Sequence, residues 1–137
     1  MTEKPDAPAG RPVPPLVHGD MRIARDGTWY HEGTPFTRLA LVRLFSTVLR
    51  RTDTGGYMLA TPVERVSIEV EDAPFVAVEM VVEGDGAERR LRFRTNIDEW
   101  VTLDAEHPLR VVDDPQTGEP SPYILLREGI EALVARA

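Results

Sequence analysis

Apolar and polar residues alternate with period two along much of the chain, most legibly over residues 75–96. Two such runs flank Asp85-Gly86. Asp-Gly supplies the positive φ angles of a two-residue type I′ turn, whose twist matches that of the strands it joins. That turn predicts Gly84 opposite Ala87 and then Met80 opposite Leu91, Val78 opposite Phe93 and Val76 opposite Thr95 on an apolar face. The other face sets Glu79 against Arg92 and Ala77 against Arg94. A slip of one residue would exchange the faces and bury Arg90, Arg92 and Arg94.

Upstream, Arg25-Asp26-Gly27 is a second Asp-Gly hairpin signal, with Trp29 and Tyr30 favouring a strand after it. Thr37 is placed to cap a helix over residues 38–51, where Leu41, Leu44, Phe45, Val48 and Leu49 recur at helical spacing. Extended segments follow at residues 57–60 and 64–70, the latter with Val66, Ile68 and Val70 facing inward. Further strands are expected at 100–104, 109–112 and 123–127, and a closing helix at 128–136 from the spacing of Ile130, Leu133 and Val134. The strand, Asp-containing turn and helix that begin at Met21-Arg22-Ile23 are faintly echoed from Leu109-Arg110-Val111 onward.

These elements predict an α+β protein in which a small ββαβ N-terminal half packs on an antiparallel curled sheet with a C-terminal helix. The expected core is Val66, Ile68, Val78, Met80, Leu91 and Phe93. Residues 1–19 read as a flexible Pro-rich tail, 20–62 as the N-terminal half and 63–137 as the C-terminal half. The tail assignment follows from five prolines and almost no large apolar residue in its first fifteen positions, too little buried surface to offset the entropy of ordering.

Composition is that of a folded protein, with 42% apolar and 28% charged residues. The net charge of −7 is carried by the second half of the chain, which repels phosphate backbones and anionic headgroups, so neither nucleic acid nor membrane is an expected partner. The absence of cysteine removes disulfides and thiolate metal sites, and no run approaches the roughly 18 apolar residues of a membrane span. The cytoplasm is the expected compartment. His18, His31 and His107 lie far apart without metal spacing, and there is no nucleophile elbow, phosphate loop or dinucleotide fingerprint. No catalytic residue, metal or cofactor is therefore expected.

The arginine row is adequately explained by pairing with Glu69, Glu79 and Glu83, but Arg94 faces Ala77 and leads into Thr95-Asn96 at a strand end, where ligand groups are often presented. Asp26-Gly27-Thr28-Trp29-Tyr30, Leu41-Val42-Arg43-Leu44-Phe45, Thr61-Pro62-Val63-Glu64, Asp72-Ala73-Pro74-Phe75, Phe93-Arg94-Thr95-Asn96, His107-Pro108-Leu109 and Pro122-Tyr123 occur in this order. Taken together they resemble a bacterial family known as domain of unknown function 1285. The resemblance spans the chain from about Asp20 onward. It implies two small α+β halves, the second loosely similar to a pleckstrin-homology barrel, with a cleft between them for a small ligand or signal, and no catalytic activity.

The expected function is thus a non-enzymatic cytoplasmic small-ligand or signal-binding module. Its ligand residues, at strand ends and junctions, are Arg38, Thr61, Glu64, Asp72, Arg94, Asn96, His107 and Tyr123. Two other readings stand beside it. One is a protein-interaction adaptor or homo-oligomer using a sheet edge or the Pro-rich tail. The other is a hydrolase-type enzyme using His107 with Asp72 or Glu64 as an acid/base pair.

Overall fold

The computed structural model describes residues 12–135. The chain divides into two compact units: residues up to Ile23 with Trp29–Val70, and Ala24–Thr28 with Glu71–Ala137. Half of the described residues are strand and one α-helix is present among them, so the expected α+β class is replaced by a mostly β protein with two six-stranded sheets.

The first unit contains β1 (Leu16–Ile23), β2 (Trp29–His31), β3 (Thr34–Pro35), helix α1 (Leu39–Ser46), β4 (Leu49–Arg51), β5 (Tyr57–Ala60) and β6 (Arg65–Val70). Its sheet order is β3-β2-β1-β6-β5-β4, antiparallel except for the central β1–β6 pair, which is parallel. The second unit contains β7 (Phe75–Glu83), β8 (Arg90–Thr95), β9 (Trp100–Thr102), β10 (Leu109–Asp113), β11 (Pro120–Arg127) and β12 (Ile130–Val134). Its order is β9-β8-β7-β12-β11-β10, again with a parallel central pair.

The two orders are the same when β7 stands for β1 and the count continues. Each unit closes its sheet by pairing its last strand with its first, and each first strand carries a bulge, between Val17 and Met21 and between Ala77 and Glu79. The internal echo is therefore of β1 with β7, not with β10. Only the place of α1 differs, filled in the second unit by the loop of residues 103–108.

Three sequence expectations are corrected. The closing helix is strand β12, because Ile130 and Ala132 are buried in alternation and Gly129, at φ 73°, turns the chain back on β11. Extended, the segment satisfies its backbone on both sides, antiparallel to β11 and parallel to β7, where a helix would leave both neighbours open. A C-terminal helix of the pleckstrin-homology kind is thus not found among the described residues.

The first helix stops at Ser46. Ser46 and Thr47 donate their hydroxyls back to the Arg43 and Leu44 carbonyls, each at 2.6 Å, and Leu49 goes fully buried into β4 opposite Leu59. At the other end the cap is Arg38 and not Thr37, with no side-chain bond.

The central hairpin is shifted by two residues, with Met80 opposite Phe93 and Val82 opposite Leu91, because residues 86–88 form a 3-10 turn that lengthens the loop. The bulge at Val78 then puts Phe75, Ala77, Thr95 and Phe93 on one buried face with Ile124 and Ala132. Val78 and Met80, expected in the core, are half exposed, at 47% and 54%. In the first unit Ile23, Trp29, Val42, Leu49, Leu59 and Ile68 are the buried apolar residues among those described.

Candidate functional site

A partly buried polar cluster lies in the second unit and begins with its Arg-Asp-Gly turn. Gly27 adopts φ 90°, which an L side chain resists, and Asp26 accepts the Thr28 N–H at 3.0 Å. The turn is clamped by Asn96, whose side chain accepts the Val76 N–H at 3.0 Å and donates to the Gly27 carbonyl at 3.1 Å. A Cβ on Gly27 would stand 2.7 Å from that amide nitrogen. Glu71 accepts the Arg25 N–H at 3.1 Å. The Arg25 side chain is thereby presented from a fixed base, and its Nη1 lies 3.3 Å from Oδ2 of Asp72.

Asp72 is mostly buried, with 15% of its side chain exposed. Its Oδ1 accepts the Tyr123 hydroxyl at 2.7 Å, while its Oδ2 is buried and, among the described residues, has no hydrogen bond and only the Arg25 charge beside it. Arg110 lies 4.7 Å above the Tyr123 ring and is fixed by a two-pronged bond to Glu131 at 2.9 and 3.0 Å. Register explains this meeting, since Arg110, Tyr123, Leu133 and Val76 stand side by side across four strands. Burial pushes the Tyr123 phenol up to about 12, the bond to Asp72 and that carboxylate's charge add to the rise, and Arg25 and Arg110 oppose it. At neutral pH the phenol remains a donor and Asp72 its acceptor.

Beside this cluster the sheet splits. The Leu125 N–H reaches the Pro108 carbonyl on the β10 side at 3.0 Å, and successive strand N–H groups alternate in direction. Positions 124, 122 and 120 therefore face β12, and the prolines at 122 and 120 have no N–H to offer it. The β11–β12 ladder ends at Tyr123 opposite Leu133, and β12 continues along β7 alone. The gap is a cavity of about 240 Å³, walled by residues 120–122 and 133–135 with Arg25 and Glu119 at its lining.

Of the eight residues expected at a ligand site, Asp72 and Tyr123 are brought together here. Asn96 is spent on the turn clamp. Arg94 bridges Glu79 at 2.7 Å and Asp98 at 2.8 Å, bonds that raise its pKa above the ordinary value. His107 bonds through Nδ1 to Asp104 at 2.9 Å, not to Asp72 or Glu64. Asp104 also accepts the backbone N–H groups of Glu106 and His107. Desolvation works against its charge, but these bonds outweigh it and hold its carboxyl below the usual range.

In the first unit, Thr61 and Glu64 close the β5–β6 turn on each other, and Arg38 supplies the carbonyl that starts α1. Arg25, Arg110 and Glu131 were not anticipated. Their only sequence signal was charge complementarity, a lone arginine in a turn and an adjacent Glu71-Asp72 pair, which local spacing does not connect. Among the described residues no group of His, Asp or Glu is arranged to hold a metal, and no helix is long and apolar enough to cross a membrane.

Fold and site together define a protein built twice on one six-strand topology, with a partly buried Arg–Asp–Tyr cluster beside a cleft in its second copy. The chain belongs to the DUF1285 family. The model of its N-terminal domain, described as a domain of unknown function, matches residues 12–73, and that of its C-terminal domain, described as a protein of unknown function, matches residues 74–137. A solved DUF1285 family protein from Silicibacter pomeroyi DSS-3 is 47% identical with a TM-score of 0.83, over 99% of this chain and 74% of that one. Another from Shewanella baltica OS155 is 28% identical with a TM-score of 0.67, over 86% of this chain and 85% of that one. No curated protein matches the chain.

Proposed function

We propose that the protein is a binding module for a small organic anion, seated in the cleft between β11 and β12. The observation that carries this reading is Arg25. Its side chain is 62% exposed and, among the described residues, makes one ion-pair contact, at 3.3 Å, to Asp72, while Tyr123 and Glu71 hold that carboxylate and the Arg25 backbone in place. Among the described residues its guanidinium donates no hydrogen bond, and such a fork suits a carboxylate. Pro120 and Pro122 line one side and Leu133, Val134 and Ala135 the other, while Ser121 and the carboxylate-bearing Glu119 add polar lining beside Arg25. A volume of about 240 Å³ corresponds to about eight waters at roughly 30 Å³ each, a space for a compact apolar body bearing one charge.

Calorimetric titration with benzoate and hexanoate tests this. The expected result is binding by the native chain, weakened at least about tenfold by Arg25→Gln and blocked by Ser121→Leu, which fills the gap without touching the charge. Binding unchanged in both variants, or absent in the native chain, would overturn the proposal.

A further inference from the structure

The first unit has a larger open cavity, of about 500 Å³, along β1, a size within the roughly 300–1,000 Å³ of small-ligand pockets. It arises where the β1–β6 ladder is interrupted between Val17 and Met21. Gly19 sits there so close to β6 that a Cβ would come within 2.6 Å of the Ser67 carbonyl oxygen and nearer still to Val66. The interruption brings His18 and Asp20 to the cavity wall.

On the adjoining stretch Arg22 is opposite Tyr30 on one side and Glu69 on the other. Its guanidinium carbon lies 4.4 Å from the Tyr30 ring centre. Stacking occupies the flat face of the guanidinium and leaves its N–H edges available. Among the described residues no carboxylate takes them, although Glu69 is the cross-strand neighbour. Asp20, Glu32 and Glu69 also line the cavity, with Asp20 and Glu32 adjoining through the Glu32 N–H to Asp20 carbonyl bond at 3.1 Å.

We infer that this cavity is a second ligand site, for a zwitterion of amino-acid or dipeptide size. The carboxylate of such a ligand meets the edge of Arg22, and its ammonium group meets the side chains of Asp20, Glu32 and Glu69. A phosphate or simple carboxylate would gain Arg22 but face three like charges. A simple cation would gain the carboxylates but face Arg22. A ligand with both charges is complementary to both sets. The site is independent of the cleft in the second unit.

The test is calorimetry on the full chain with the proteinogenic amino acids and alanyl dipeptides, each beside its N-acetyl and C-amide forms. The free forms are expected to bind, and either cap to weaken binding at least about tenfold, as loss of a charge-assisted bond does. Arg22→Gln should erase the preference for acid over amide, and Glu69→Gln with Asp20→Asn the preference for amine over acetyl. All three positions are exposed, so circular dichroism should be unchanged. Failure of every free form to bind, equal binding of capped forms, or an acid preference that survives Arg22→Gln would overturn the inference.

Discussion

Arg22 in the first unit and Arg94 in the second each stand on a strand beside a glutamate, in sheets of one topology. Arg94 bonds Glu79 and Asp98, whereas Arg22 lies on Tyr30 and leaves Glu69 alone. The contrast is general. Among the described residues every ion pair falls in the second unit, from Arg25–Asp72 to Arg110–Glu131. Exposed pairs stabilise by only about 0–1 kcal/mol, so the topology does not depend on them. The difference teaches that the second unit uses its charges mainly to position its own chain, with the Arg25 edge left over, and that the first keeps a polar row uncommitted.

The largest expected test of this contrast is Asp72→Ala. It strips the partner from the part-buried Tyr123 hydroxyl and from the exposed Arg25, and should cost about 1–4 kcal/mol in urea unfolding. Asp20→Ala in the first unit should stay within about 0.5 kcal/mol, and equal losses would break the comparison. Gly19→Ala comes next, at about 1–3 kcal/mol, because its methyl must displace β6 backbone.

Tyr123→Phe should cost about 1 kcal/mol below pH 10. The folded phenol titrates near 12 against 10.0 for the free group, so as pH rises through this window the unfolded chain ionises first and native stability falls. The gap between native protein and Tyr123→Phe should therefore narrow from pH 10 toward 12. A constant gap would mean that burial and the Asp72 bond do not hold the folded phenol above its free value. The smallest effect is expected of Glu69→Gln, within about 0.5 kcal/mol in stability while altering ligand preference, which would sharpen the division between positioning and uncommitted charges.

Much of this was legible in the chain. Period-two runs located most strands, the Asp-Gly at 26–27 marked a turn, and Asp72 and Tyr123 were picked out together with their family resemblance. Alternation states which residues share a face, and that depends only on the local backbone. Ile130, Leu133 and Val134 suit a helix by spacing, while Ile130, Ala132 and Val134 suit a strand, so local pattern could not decide that segment. The unpaired edges of β11 and β7 decided it.

What the sequence determined by itself is therefore the local geometry: extended runs, their two faces, turns where glycine permits positive φ, and prolines where a ladder must stop. Tertiary structure alone decided that the last strand of each unit returns parallel to its first, that the central hairpin slides by two residues and bulges at Val78, and that Arg25 meets Asp72. Those outcomes turn on hydrogen bonds between segments distant in sequence, whose energy no local pattern records.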